Sequence, residues 1–160
     1  MSDEYQIQTY EVPVEVSLGD GPHLVGHMFL RPHTAGHTGP ETVADRLNDR
    51  TAFFPVRATA PEPALLLVGK AQVRYVIAPD SGTIERVAFR RAASVQIGAS
   101  IMLDDGEVVS GIVFLDGIPG QIRPLDYLNA IDDPFVTLVR PDQEYLINRN
   151  RIRYFVDIAS

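Results

Sequence analysis

Apolar and polar residues alternate with a period of two over much of this chain, the spacing that turns one face of a β-strand into a core and the other toward solvent. Val12, Val14, Val16 and Leu18 share one face, with Glu11, Glu15 and Ser17 opposite. Pro13 falls on that opposite face, where its missing N–H predicts an exposed strand edge. Gly19, Asp20 and Gly21 divide this run from a second apolar run at 24–30, and Asp104, Asp105 and Gly106 divide two later runs in the same way. Turn residues between apolar runs predict hairpins. Thr42 followed by Asp45 has the pattern of a helix N-cap, and Pro124 suits a first helical turn. Third strands are expected over 52–56 and 134–139. The last two strands are expected on either side of turns at Gly69-Lys70 and Asn148-Arg149-Asn150.

These elements occur twice in the same order. Residues 14–21 align with 99–106, 24–30 with 109–115, 43–48 with 124–129, and 67–76 with 146–155. Gly26 meets Gly111, Phe29 meets Phe114, both copies read Asp-x-Leu-Asn, and Tyr75 meets Tyr154. The shifts between blocks fall in loops, and the first copy carries the longer loop after its second strand. Four matched blocks in one order are the mark of an internal duplication. The expected fold is therefore mainly β, with two tandem β-β-α-β-β small barrel-like units at 5–78 and 93–158 and a turn-rich connector at 79–92. The expected core positions are Val16, Phe29, Leu47, Phe53, Val73 and Tyr75 in the first copy. Ile101, Phe114, Leu128, Phe135, Ile152 and Tyr154 are their counterparts in the second.

Composition narrows the function classes. The chain has 160 residues, a net charge of -7, one lysine and no cysteine. An acidic overall field opposes binding to nucleic acid and to anionic membrane. Without cysteine there are no disulfides, thiolate metal sites or thiol nucleophiles, which fits a cytoplasmic protein. No apolar run is long enough to span a bilayer, and the acidic first residues lack the pattern of a secretory signal.

The segment 146–155, an apolar strand, an arginine-containing turn and a second apolar strand, resembles the second signature of Sm-like small β-barrels. The block Asp126-Tyr127-Leu128-Asn129 is similar to that family's aspartate-methionine-asparagine segment. The chain also resembles bacterial families of unknown function built on a β-β-α-β-β unit. The Sm-like resemblance implies a small open-barrel fold and, as an alternative function, RNA binding through Asn129 and Arg149, with Asn48 and Lys70 as weaker counterparts.

The candidate chemistry is sparse. His23, His27, His33 and His37 lie in one stretch with two His-x-x-x-His spacings, which is metal-ligand chemistry. The plainer reading makes them exposed loop and edge residues, since the second copy has Ile112 where the first has His27. Arg149, Arg151 and Arg153 form a basic cluster that would line one strand face for nucleic acid. The plainer reading is an exposed face salted against Asp142, Glu144 and Asp157. A second cluster comprises Arg86, Arg90 and Arg91. Asp45, Asn48, Asp126 and Asn129 fit helix capping better than ligand contact. The sequence carries no nucleophile elbow, phosphate loop or zinc-protease helix motif. The expectation is a non-catalytic protein-interaction or assembly module without cofactor, acting on a protein partner or as a homo-oligomer. The loop 31–41 is expected to carry recognition and the loop 116–123 to serve packing.

Overall fold

The computed structural model describes residues 9–21, 23–33, 39–116 and 123–158. Ten strands and three short helices follow one another as β1 (Tyr10–Leu18), β2 (Leu24–Leu30), α1 (Val43–Asn48), β3 (Phe53–Ala60), β4 (Ala64–Gly69), β5 (Val73–Pro79), α2 (Glu85–Ala92), β6 (Val95–Leu103), β7 (Val108–Leu115), α3 (Pro124–Ala130), β8 (Phe135–Arg140), β9 (Gln143–Asn148) and β10 (Ile152–Asp157). A 3₁₀ turn joins β4 to β5 at Lys70–Gln72, and another joins β9 to β10 at Arg149–Arg151. No helix among the described residues is long and apolar enough to cross a membrane.

All strand pairings are antiparallel, and they form one sheet in the order β10-β6-β7-β8-β9-β5-β1-β2-β3-β4. The neighbour order 5-1-2-3-4 of the first half recurs as 10-6-7-8-9 in the second. The halves meet where β5 pairs with β9, with Tyr75 opposite Ile147, Val76 opposite Leu146 and Ala78 opposite Glu144. The expectation of two barrel-like units is therefore corrected. β5 continues the sheet into the other half, and β10 and β4 stand at its two ends, so the sheet is open. The connector differs from the expectation as well, because eight of its residues form α2, which has Arg90 and Arg91 in its last turn.

Local physics explains the elements. In β1, Val14 and Val16 are buried between exposed Glu11, Pro13 and Glu15. Pro13 lies beyond the stretch of β1 that pairs with β5, so no hydrogen bond is wanted from it on that side. Gly106 closes the β6–β7 turn at φ 92°, and Asp142 takes φ 63° in the short β8–β9 turn. Thr42 caps α1 in a reciprocal box. Its hydroxyl accepts from Asp45 N at 3.1 Å, and its own N–H donates to the Asp45 carboxylate at 2.8 Å. Pro124 opens α3.

Two apolar clusters fill the interior, and each borrows from the other half. The first holds Val14, Val16, Met28, Leu47, Phe54, Val56 and Val76 together with Phe135 and Leu146. The second holds Ile101, Leu103, Val113, Leu115, Leu138 and Ile147 together with Tyr75. Each fully buried aliphatic or aromatic side chain contributes about 1.5–3 kcal/mol, so the exchanged residues fasten the halves together. Val16, Leu47, Val73 and Ile101 are core residues, as the pattern predicts. Several expected core positions need correction. Phe53 and Tyr154 are exposed, and Phe54 points inward in place of Phe53. Phe29 and Phe114 are half-buried beneath the guanidiniums of Arg57 and Arg91 at 4.9 and 5.2 Å from the ring centres. Leu128 and Ile152 are also only partly buried, at the margin of the second cluster.

Candidate functional site: the two open edges of the sheet

The junction between β5 and β9 provides a measure of what a covered edge looks like in this fold. The same aligned positions occur at the open ends, β9 corresponding to β4 and β5 to β10. Leu146 at the junction is 0% exposed, whereas its counterpart Leu67 on β4 is 73% exposed. Tyr75 is 2% exposed and its counterpart Tyr154 on β10 is 49% exposed. Phe135, at the start of β8, is 2% exposed, and Phe53, at the start of β3, is 62% exposed. Leu65, Val156 and Ile158 add to these uncovered apolar side chains. The β4 edge carries little of the usual protection, whereas β10 holds Arg153 and Asp157. β4 holds no charged residue, and Pro61 and Pro63 stand only before it.

The helices show the same inequality. α1 lies against β8 and β9 of the other half and buries Val43 and Leu47. The Asn48 side-chain carbonyl accepts from Phe135 N at 2.9 Å, which ties the end of α1 across the junction. The aligned helix α3 buries none of its residues; Leu125 and Asn129 are exposed on it.

The arginines singled out in the sequence do not make a free strand stripe. Arg149 and Arg151 sit in the 3₁₀ turn, where the alternation of a strand does not apply. Arg149 donates to Ile131 O. Arg151 reaches Asp104 at 3.0 Å and Ala71 O at 3.0 Å. Arg153 donates to Asp104 O at 2.6 Å, and Arg74 bonds the Asp104 carboxylate at 2.6 Å. The Arg74 guanidinium holds the Asp104 carboxyl below its ordinary range. Asp104 is thus a hub that the sequence reading did not name. Lys70, the counterpart of Arg149, is buried and bonds Arg46 O and the Asp49 carboxylate at 2.8 and 2.7 Å.

The histidines are spread out. His23 is exposed and meets the Tyr75 ring edge-on at 6.0 Å, His27 is half-buried in β2 opposite Pro13 and Arg57, and His33 is exposed. His37 lies outside the described residues, as do parts of both loops expected to carry recognition and packing. Among the described residues no group of three or more histidine and carboxylate side chains is arranged to hold a metal.

A cleft of about 690 Å³ is lined by residues of all three helices, and the sequence offered its residues without bringing them together. Arg86 bonds Asp45 at 2.6 Å and Pro40 O at 2.9 Å. Arg91 bonds Asp80 at 2.8 Å and Glu144 at 3.2 Å, and Ser81 donates to the same Glu144 carboxylate. Burial pushes the Glu144 carboxyl up, and burial with Asp116 and Asp133 nearby pushes the Tyr127 hydroxyl up to about 12. Most of these charges are paired across elements, so the cleft reads first as the seam that holds α2 onto the sheet. The basic α2 cluster and the repeated polar residues Asp45, Asn48 and Asp126 were its sequence signals. No family model, curated protein or solved structure matches this chain.

Proposed function

We propose that this protein is a non-catalytic assembly module, built by duplication of one β-β-α-β-β unit, that docks protein partners by strand addition at the free edges of β4 and β10. The carrying observation is the exposure of Leu67 and Tyr154 at positions whose counterparts are buried where β9 meets β5. Unpaired edges bearing apolar side chains are natural acceptors for another strand, whose main chain supplies affinity and whose side chains supply specificity. The duplication is supported by the matched sequence blocks, by the recurring neighbour order in the sheet and by the two 3₁₀ turns at aligned positions. The cysteine-free composition supports a cytoplasmic setting. The RNA-binding alternative needs Asn129, Arg149, Arg151 and Arg153 turned toward a ligand, and the hydrogen bonds those arginines make to Ile131, Ala71 and Asp104 weigh against it.

The test compares proteins that co-purify with the wild-type chain in its host against those that co-purify with a Leu67→Lys, Tyr154→Lys double variant. Both substitutions place a charge on a solvent-exposed edge, so the fold is expected to survive, as checked by its melting temperature. Loss of co-purifying chains, copies of this one included, is the expected result. An unchanged set of partners refutes edge docking.

A further inference from the structure

We infer that the strand each edge receives comes from a second copy of this chain, β10 of one copy pairing antiparallel with β4 of the next. This rests on the edge-docking reading above and specifies its partner. The template is the β5–β9 junction inside the chain, which joins the last strand of one half to the fourth strand of the other. β10 is the last strand of the second half and β4 is the fourth strand of the first, so the two ends are the same pair of surfaces left unjoined. One junction geometry, repeated between molecules, satisfies both ends of every copy.

The junction's register transfers position by position. Val76 opposite Leu146 becomes Phe155 opposite Leu67, and Tyr75 opposite Ile147 becomes Tyr154 opposite Val68. The faces agree with this register. Phe155 packs at the margin of the second core, so Leu67 would extend that core. Val68 belongs to the first core of its own copy, so Tyr154 would cover it, as Tyr75 crosses into the other half's core within the chain.

An independent observation comes from the helices. Asn48 at the end of α1 reaches across the internal junction to Phe135 N. Asn129 holds the same place on α3, and the counterpart of Phe135 is the exposed Phe53. The neighbouring copy thus brings Phe53 N to Asn129, and its β3 and β4 under α3, a helix with no fully buried residue within its own chain. The interface is heterologous, so it closes into a ring where the rotation permits and otherwise extends.

The chain has no cysteine, so introduced pairs report contacts without background. Opposed residues in an antiparallel ladder have Cα atoms about 4.5–5.5 Å apart, within reach of a disulfide. Purified Leu67→Cys protein mixed with purified Phe155→Cys protein should form a disulfide-linked dimer containing one chain of each. Leu67→Cys alone should form none. Leu65→Cys with Asp157→Cys, two residues along the same register, serves if the Phe155 variant does not fold. Light scattering of the wild type should give a mass of two or more times 17.7 kDa. Asn129→Ala should weaken assembly about tenfold, the size of one lost hydrogen bond, while leaving the melting temperature of the dissociated chain unchanged. A wild type that stays monomeric, together with cysteine variants that yield no mixed disulfide, overturns the inference. A Leu67–Leu67 linked dimer overturns it too, because that interface would be isologous. If either result is accompanied by host partners that still depend on the edges, edge docking stands and only the second copy is refuted.

Discussion

Replacing Gly26 with alanine should damage this fold more than replacing most of its exposed large residues. Gly26 lies in β2 between β1 and β3, opposite Val14 on one side and Ala58 on the other. A Cβ at this position would stand 2.1 Å from Arg57 O and 2.8 Å from Ala58 Cα, both backbone atoms. Ordinary contact begins near 3.4 Å, so β2 and β3 would have to separate by roughly 1 Å in a close-packed interior. That displacement stretches a ladder hydrogen bond of about 2.9 Å beyond useful length. Overpacking costs about 1–3 kcal/mol, and one or two weakened hydrogen bonds cost about 1 kcal/mol each, for a total of about 2–5 kcal/mol. With a urea m-value of about 1–3 kcal/mol/M, the unfolding midpoint should fall by about 1–2 M. Tyrosine fluorescence and far-ultraviolet circular dichroism follow the transition, since the chain has six tyrosines and no tryptophan. Gly21→Ala is the control. Its Cβ would meet only Leu18 Cβ at 3.9 Å, and a small gain of about 0.4–1 kcal/mol from the unfolded state is expected. A Gly26→Ala midpoint equal to that of the wild type would refute the close approach of β2 to β3. Gly111→Ala should behave alike, because its Cβ would fall 2.6 Å from Val139 O.

Asn48→Ala should cost about 1–3 kcal/mol in urea unfolding, because it leaves Phe135 N without its acceptor at the junction of the halves. Asp104→Asn should flatten the acid limb of the stability profile. The native Asp104 carboxyl lies below its ordinary value of 3.8, so its contribution is present above that pH and is lost as the pH falls through the native value. Melting temperatures between pH 6 and pH 2.5 check this, and an unchanged acid limb would remove Asp104 from its place as hub of the arginine network.

The strands, both hairpins, the α1 capping box and the core role of Val16 and Leu47 follow from period and turn chemistry, which act over a few residues. What failed was set over longer distances. Phe53 and Phe54 are adjacent apolar residues, and which of them points inward depends on the register of β3 against β2 and β4. Tyr154 aligns with buried Tyr75, yet burial depends on which strands lie alongside, and β5 has a neighbour on both sides whereas β10 has one only. The continuation of β5 into β9 left no mark in either segment alone, because strand pairing is a relation between distant segments. The arginine cluster was visible by composition, but its purpose was not. Asp104 gathers Arg74, Arg151 and Arg153 from strands and turns that only the folded chain brings together. The candidate edge was partly legible. The first half reads Leu65-Leu66-Leu67 where the second half reads Glu144-Tyr145-Leu146, so the strand at the open end is the more apolar of the two.

That inversion bears on why the edges stay apolar. A strand that ends a sheet ordinarily gains from charge, which keeps it soluble, whereas a strand inside a sheet gains from apolar side chains on both faces. Here the covered strand β9 carries the buried carboxylate of Glu144, held by Ser81 and Arg91, and the uncovered strand β4 carries leucine at the same position. The Glu144 carboxylate takes its partners Ser81 and Arg91 from the segment that follows β5, so that polar arrangement belongs to the internal junction. At the proposed junction between molecules, a leucine at position 65 would meet a neighbouring strand without needing such polar partners. The proposed junction would thus account for the difference in side-chain chemistry between β9 and β4. On this argument a Leu65→Glu variant should remain folded and lose assembly, since it imports the buried acid without the serine and arginine that hold it. Light scattering and the mixed-disulfide assay read that outcome, and a fully assembled Leu65→Glu variant would show that β4 is not the surface being covered.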